Sequence, residues 1–237
     1  MITSLQIGIE CVVHDWSDLI SGEAFLDRLA QLNSDTETEA ILVQFPVKEG
    51  FLQADLIMEK IDPLKDVDGF HPLNMTRLYQ DWGFHYESCT AKGILRLLGE
   101  LNIPLEGQPV CVIGKSRVVG LPLVNMLLRR GSTVTVCHTQ TKNLPEIIKQ
   151  HSIVVVAIGQ PRFIQASWIK PQAVIVDVGI NIDPMTGKIC GDVDYEEARK
   201  VASFITPVPG GIGPLTIAML AENVLLAHLQ KLKSGLI

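Results

Sequence analysis

Asp66 and Asp68 stand two residues apart in "PLKDVDGFHP", where an extended backbone puts both carboxylates on one face. One can accept hydrogen bonds from the amide-like N–H groups of a ligand while the other anchors the loop; a purely turn-forming role accounts for either one alone. Gln44 ends the apolar run "ILVQFP" with an amide that donates and accepts in one small space, or satisfies nearby backbone groups. Lys65 and His71 read as a surface charge and a loop hydrogen-bonder.

A second set lies in "VCVIGKSRVVGLPL". Gly114 ends a β-branched run and Gly120 opens an apolar helix pattern, the layout of a dinucleotide fold's phosphate turn, although Ser116 stands where the second glycine of G-x-G-x-x-G would be. A nucleotide-hydrolase P-loop is excluded, since "GKS" would need glycine at the place of Pro109. The next strand pattern, "STVTVCHT", ends without the acid that NAD-linked folds direct at the ribose. Lys115, with the hydroxyls of Ser116 and Thr139, suits a 2′-phosphate, which favours NADP over NAD. Finally, "ITPVPGGIGPLT" (205–216) mixes fixed-φ and free-φ residues immediately before an amphipathic helix pattern. It is either a tight connection or a bare backbone shelf for a flat ligand.

The elements that must position these residues follow from periodicity. Residues 8–15 ("GIECVVHD") and 40–47 ("AILVQFPV") read as strands alternating with helices at 21–33 and 51–61, an order that favours a parallel sheet. The string 62–74 reads as a loop. From the leucine-rich helix at 90–103 the chain enters a second unit whose buried runs "QPVCVIG", "SIVVVAIG" and "AVIVDVGIN" alternate with helices, as in an open, doubly wound parallel sheet. The fold class is α/β in two lobes: residues 1–95 with a returning C-terminal helix at 214–233, and a Rossmann-like lobe at 96–213.

Composition narrows the class. The 237 residues are 47% hydrophobic and 19% charged, with a formal charge of −6 and a pI near 5.5, which argues against a general nucleic-acid binder and against an anionic membrane surface. Five cysteines are scattered without zinc-site spacing, and no uninterrupted apolar run reaches the roughly 20 residues of a membrane span, so a reducing, cytoplasmic setting is the default. No metal site is expected.

Taken in order, "ILVQFP", "KDVDGFHPLN", "CTAKG", "GKSRVVGLPL", "HTQTKNL", "VDVGIN", "GDVDY" and "ITPVPGGIGPLT" resemble the methylenetetrahydrofolate dehydrogenase/cyclohydrolase family from about Ile7 to the last helix. The resemblance implies two lobes across a cleft and a homodimer formed through the nucleotide lobes. It implies NADP-linked oxidation of 5,10-methylenetetrahydrofolate and hydrolysis of the methenyl product to 10-formyltetrahydrofolate. On it, Asp68 anchors the pterin, Gln44 works with a catalytic lysine, and Val43 and Phe45 line the same wall. Pro209, Gly210, Gly211, Ile212 and Gly213 form the folate loop, while Gly114, Lys115, Ser116, Thr139 and Ile180 contact NADP. Ser88 and Ala91 replace prolines usual in the family, which implies a looser connection.

The departure is at the front. The family carries Tyr-x-x-x-Lys on a helix before the segment matched by "QIGIE", with the lysine assisting hydrolysis; the present sequence contains no such motif and is expected to be short at its N-terminus. Loss of a positioned acid–base group costs roughly 10²–10⁴ in rate, so hydrolysis is expected to suffer more than hydride transfer, which depends on orientation. A missing strand is also expected to leave an open sheet edge. The alternatives are a catalytically silent member that binds NADP, folate or a protein partner, and a two-lobed dehydrogenase of an amino acid or shikimate-type acid. The latter leaves "KDVDGF" with "TPVPGG" unexplained.

Overall fold

A computed structural model describes residues 7–15, 21–45, 47, 48 and 51–233. Its centre is a five-stranded, all-parallel sheet of order β2-β1-β3-β4-β7. β1 (Pro109–Ile113), β3 (Ile153–Val156) and β4 (Val174–Asp177) are buried along almost their whole length, as their β-branched composition requires of strands covered on both faces. Alternation sends Val110, Val112, Val155 and Val176 to one face and Cys111, Ile113, Val154, Val156 and Ile175 to the other. Helices α4 (Cys89–Glu100) and α5 (Gly120–Arg129) cover the first face; α6 (Leu144–Lys149) and the short α7 (Tyr195–Ala198) cover the second. β2 (Thr133–Cys137) and β7 (Phe204–Ile205) are the edges, and β5 (Asn181–Ile182) and β6 (Ile189–Cys190) form a separate antiparallel hairpin. The doubly wound Rossmann-like sheet expected of the second unit is therefore present.

The first unit departs from its expected pattern. Helices α1 (Gly22–Ser34), capped by the Ser21 hydroxyl, and α2 (Ala54–Lys60) form close to where the periodicity put them, and Phe25, Leu29, Ile41, Ile57 and Ile61 make their core. The strands do not form. Among the described residues, 8–15 have no ladder partner and leave Val12 and Val13 exposed, while the described part of 40–47 reduces to one parallel bridge, Ile41 to Asp66. Alternation marks a segment as able to be a strand, but only a neighbouring strand can satisfy its backbone. Among the described residues the first unit thus has no sheet, and the expected open edge is not formed. The string expected as loop also continues into a helix, α3 (Pro72–Gln80), with Pro72 in its first turn and His71 Nδ1 accepting from the Leu73 N–H at 3.0 Å.

The last helix, α8 (Ile212–Lys233), joins the two units. Ile212 enters the core of the sheet's first face, whereas Ala227 packs with Val67 and Tyr86 of the first unit. Glu39 binds His228 and Lys231 from the same helix at 3.0 and 3.1 Å. Among the described helices α8 alone is long and apolar enough to cross a membrane, yet it lies along α4 with Gly93 so close to Leu215 that an added Cβ would sit 3.2 Å from it. The expected boundary after residue 95 falls inside α4, where Ala91, Ile94, Leu95 and Leu98 share one core with the sheet.

The strand order reverses between β1 and β3, and the backbone there is closely packed. A Cβ on Gly120 would lie 2.1 Å from the Gly114 carbonyl oxygen, whereas a Cβ on Gly99 would meet nothing within 4 Å. Gly120→Ala is expected to lower stability by about 2–4 kcal/mol, roughly 5–15 °C in Tm, and Gly99→Ala to leave Tm unchanged or raise it slightly; thermal melts of the two variants check the contrast.

Candidate functional site

The loop 62–71 is held from inside by its own polar groups. Asp66 is buried and accepts from the His71 N–H at 2.7 Å and from Asn74 Nδ2 at 2.9 Å, while Asn74 also donates to the Pro63 carbonyl. Gly69 takes φ +75° and presses on the chain at 86–88, where a Cβ would lie 2.6 Å from the Tyr86 carbonyl oxygen. Lys65 is no loose surface charge: its ammonium donates to the carbonyls of Leu32, Asn33 and Asp35 at the end of α1. Asp66 thus takes the anchoring role and leaves Asp68 free for another.

Asp68 lies one residue past Val67, beside the Cys89 thiol. Burial, and then the nearby Asp66 charge, push its carboxyl up to about 6, and the thiol hydrogen bond pulls the other way. Among the described residues no backbone N–H donates to Asp68. A carboxylate with unused acceptor capacity in a partly dry setting is suited to take two N–H donors from a ligand.

Three consecutive residues at the start of α4 collect the remaining pieces. Ser88 is fully buried and its hydroxyl donates to the Val118 carbonyl at 2.8 Å, within the turn that links β1 to α5. Cys89 touches Val67 and Asp68, and Thr90 meets Thr216 of α8 at 3.3 Å. The serine that stands in place of a proline therefore ties the connection down, where a looser one was expected, and Ala91 is packed in the core.

In the 205–216 string, Pro209 and Gly210 are exposed and Gly211 and Gly213 are partly so. Gly210 has φ +98°, and a Cβ on Gly211 would lie 2.4 Å from the Pro207 carbonyl oxygen. Ile212 corrects the expectation in part, because its side chain is buried in the core and only its backbone is left for a ligand. Gln44 is exposed and spends its amide N–H on the Phe45 carbonyl at 3.1 Å, with Val43 and Phe45 packed on the first unit's core. It is not brought against Asp68 by any hydrogen bond.

The turn after β1 fits a dinucleotide. Gly114, φ +117°, is squeezed against Ala157 at the end of β3, with 2.2 Å for a Cβ to the carbonyl oxygen. The Ser116 hydroxyl accepts from the N–H groups of Val119 and Gly120 at 3.2 and 3.3 Å, doing the work of a cap where a glycine was expected. Lys115, Thr139 and Ile180 are exposed around this strand end, and Ile180, 72% exposed, presents bare apolar surface.

Two carboxylates missed by sequence reasoning shape the same strand ends. Asp192 accepts from the N–H groups of Ile158, Gly159 and Gln160 and from Asn181 Nδ2, while Asp177 accepts from Gly179, Asp192 and Val193. Burial pushes Asp177 up to about 6 against these bonds. A Cβ on Gly191 would lie 2.0 Å from the Asp177 carboxylate, and one on Gly179 would lie 2.3 Å from that of Asp192. "VDVGIN" and "GDVDY" are thus braces, and their signal was the glycine placed beside each aspartate.

Residues 2–68 match the family model for the tetrahydrofolate dehydrogenase/cyclohydrolase catalytic domain, and residues 88–232 match the model for its NAD(P)-binding domain. The chain belongs to the tetrahydrofolate dehydrogenase/cyclohydrolase family. It is 46% identical to the bifunctional protein FolD of Caldicellulosiruptor saccharolyticus over 99% of this chain and 84% of that one. The bifunctional FolD structure from Campylobacter jejuni superposes with a TM-score of 0.93 at 40% identity, covering 97% of this chain and 81% of that one. The Trypanosoma brucei enzyme, complexed with NADP cofactor and inhibitor, gives 0.91 at 32% identity, with 98% and 80% covered. Within the family's catalytic domain, Asp68 ends the matched segment, and Ser88 opens the nucleotide one.

Ionising Asp68 in the folded protein costs stability. Because its folded pKa, about 6, lies above the unfolded value, the native state binds more protons between about pH 4 and 6, and stability contributed by this group falls as pH rises through that window. Asp68→Asn is expected to raise Tm by about 2–6 °C at pH 7.5 and to lose most of the gain at pH 4, read from melts at both pH values.

Proposed function

We propose that this chain oxidises 5,10-methylenetetrahydrofolate with NADP and hydrolyses the methenyl product to 10-formyltetrahydrofolate in one-carbon metabolism. The observation that carries the reading is the meeting, at the start of α4, of a carboxylate with spare acceptor capacity, a backbone shelf and a phosphate turn. Asp68 accepts from the N–H groups of the pterin, and the backbone of Pro209, Gly210, Gly211, Ile212 and Gly213 lies against the flat substrate. Gln44, Val43 and Phe45 border the reacting carbon. Gly114 lets the cofactor's phosphates approach the turn, Ser116 holds the turn's shape, Lys115 and Thr139 face the 2′-phosphate, and Ile180 covers an apolar part of the cofactor. When bound, NADP supplies the acceptor for the hydride that leaves the methylene carbon. The charge left on the folate is the one to which water adds. We further propose that residues 1–95 with 214–233 act as the folate lobe, residues 96–213 as the nucleotide lobe, and that the protein works in the cytoplasm.

Absorbance assays of NADP⁺ reduction with 5,10-methylenetetrahydrofolate and of methenyl decay measure the two steps separately; no NADP⁺ reduction and no folate binding would overturn this reading. Asp68→Ala is expected to raise the folate KM about 10–100-fold with the NADP KM little changed, and Lys115→Ala to raise the KM for NADP but not for NAD. Equal losses for folate and cofactor in Asp68→Ala would make that residue structural.

A homodimer through the nucleotide lobe completes the proposal. Its support is the β5–β6 hairpin, which carries Ile182, Met185 and Ile189 exposed on one lobe. Light scattering is expected to give twice the chain mass, and Ile182→Glu to give monomers.

A further inference from the structure

Asn223 is a wholly buried amide in the middle of α8, a helix otherwise rich in leucine and alanine. A buried polar side chain costs stability unless it is bonded, and this one is saturated. Its Nδ2 donates to the carbonyls of Val67 at 2.8 Å and Glu87 at 3.0 Å and lies 3.4 Å from Cys89 Sγ, while its Oδ1 accepts from the Lys92 ammonium at 3.0 Å. Two carbonyls on one side and a cation on the other permit only one orientation of the amide. Each partner of Nδ2 adjoins the substrate loop. Val67 is the residue before Asp68, Cys89 is the thiol beside the Asp68 carboxylate, and Glu87 belongs to the backbone on which Gly69 rests. A leucine would fill the same space against α4; what the amide adds is a fixed height and direction for the Val67 carbonyl and the Cys89 thiol.

We propose that Asn223 is the positioning residue for Asp68, reaching from the C-terminal helix to hold the loop and the thiol between which the carboxylate faces the pterin. The proposal rests on the reading of Asp68 as the pterin anchor. It makes the folate site depend on α8 through a polar contact, whereas the cofactor turn, tied to α4 by Ser88, does not depend on that contact.

The test is a double-mutant cycle on the full chain, read by calorimetric Kd for tetrahydrofolate and for NADP, with a thermal melt of each variant. Asn223→Leu is expected to weaken tetrahydrofolate about 10-fold and NADP less than about 2-fold, and to add less than about 2-fold once Asp68→Asn is present. Penalties that multiply, a loss shared equally with NADP, or a lowered Tm with the tetrahydrofolate Kd unmoved would each overturn it. Should Asn223→Leu fail to fold, Cys89→Ala keeps both carbonyl bonds of the amide; it is expected to weaken tetrahydrofolate about 3-fold, again only while Asp68 is present, and a wild-type Kd there overturns the proposal. If Asp68→Asn itself leaves the tetrahydrofolate Kd unchanged, the anchor reading falls and takes the proposal with it; a weakened Asp68→Asn beside an unchanged Asn223→Leu overturns the proposal alone.

Discussion

The start of α4 is the constraint on which the rest of the site depends. Successive residues of a helix point about 100° apart, so Ser88, Cys89 and Thr90 necessarily address three different neighbours. Here those neighbours are the turn after β1, the Asp68 loop and the beginning of α8. The buried hydroxyl of Ser88 and the buried thiol of Cys89 have no water to fall back on, so each contact is costly to break and fixes the distance between parts of the chain that are far apart in sequence. The apolar residues that follow, Ala91, Ile94, Leu95 and Leu98, root the same helix in the core of the sheet. A rigid core thereby sets the geometry of groups that are themselves in loops.

The carboxylates show how one chemistry serves two ends. Asp66, Asp177 and Asp192 are buried and each accepts at least two N–H bonds from the protein, which offsets the cost of removing the charge from water. They are braces that shape loops at strand ends and turns. Asp68 has a thiol for a partner and, among the described residues, no backbone N–H, so its burial is offset by that one bond alone. The same deficit that costs stability leaves acceptor capacity for a ligand. Partner count separates the three loop-bracing aspartates from Asp68 more sharply than burial does.

Much of the nucleotide lobe was legible because its physics is local. Runs such as "IVVV" are readable as buried parallel strands, and Gly114 and Gly120 mark a close approach that only glycine permits. The first unit was less legible because a strand is a property of two segments, and residues 8–15 show the alternation without a partner among the described residues. Helix α3 was hidden by Pro72, a residue that suits a turn and a helix start equally. Asn223 gave no signal at all and Ser88 gave the opposite one, a looser connection: only tertiary packing shows that they face carbonyls 136 and 156 residues away in one case and 30 in the other.

The glycine- and proline-rich string before α8 gains its meaning from Ile212. Were that side chain exposed, three glycines in four residues would leave a loop with many conformations to lose on binding a ligand. Its burial in the sheet's core pins the segment at its helical end, and the closeness of Gly211 to the Pro207 carbonyl leaves no room for a side chain between the two arms of the turn. The exposed Pro209 and Gly210 are thus presented as backbone on a fixed base. With Asp68 fixed through Cys89, and with α8 held to α4 through Thr90 and Thr216, carboxylate and shelf are referenced to the same helix. Ordering of the site is therefore completed on folding, which lowers the entropy still to be lost when a flat ligand is held between them.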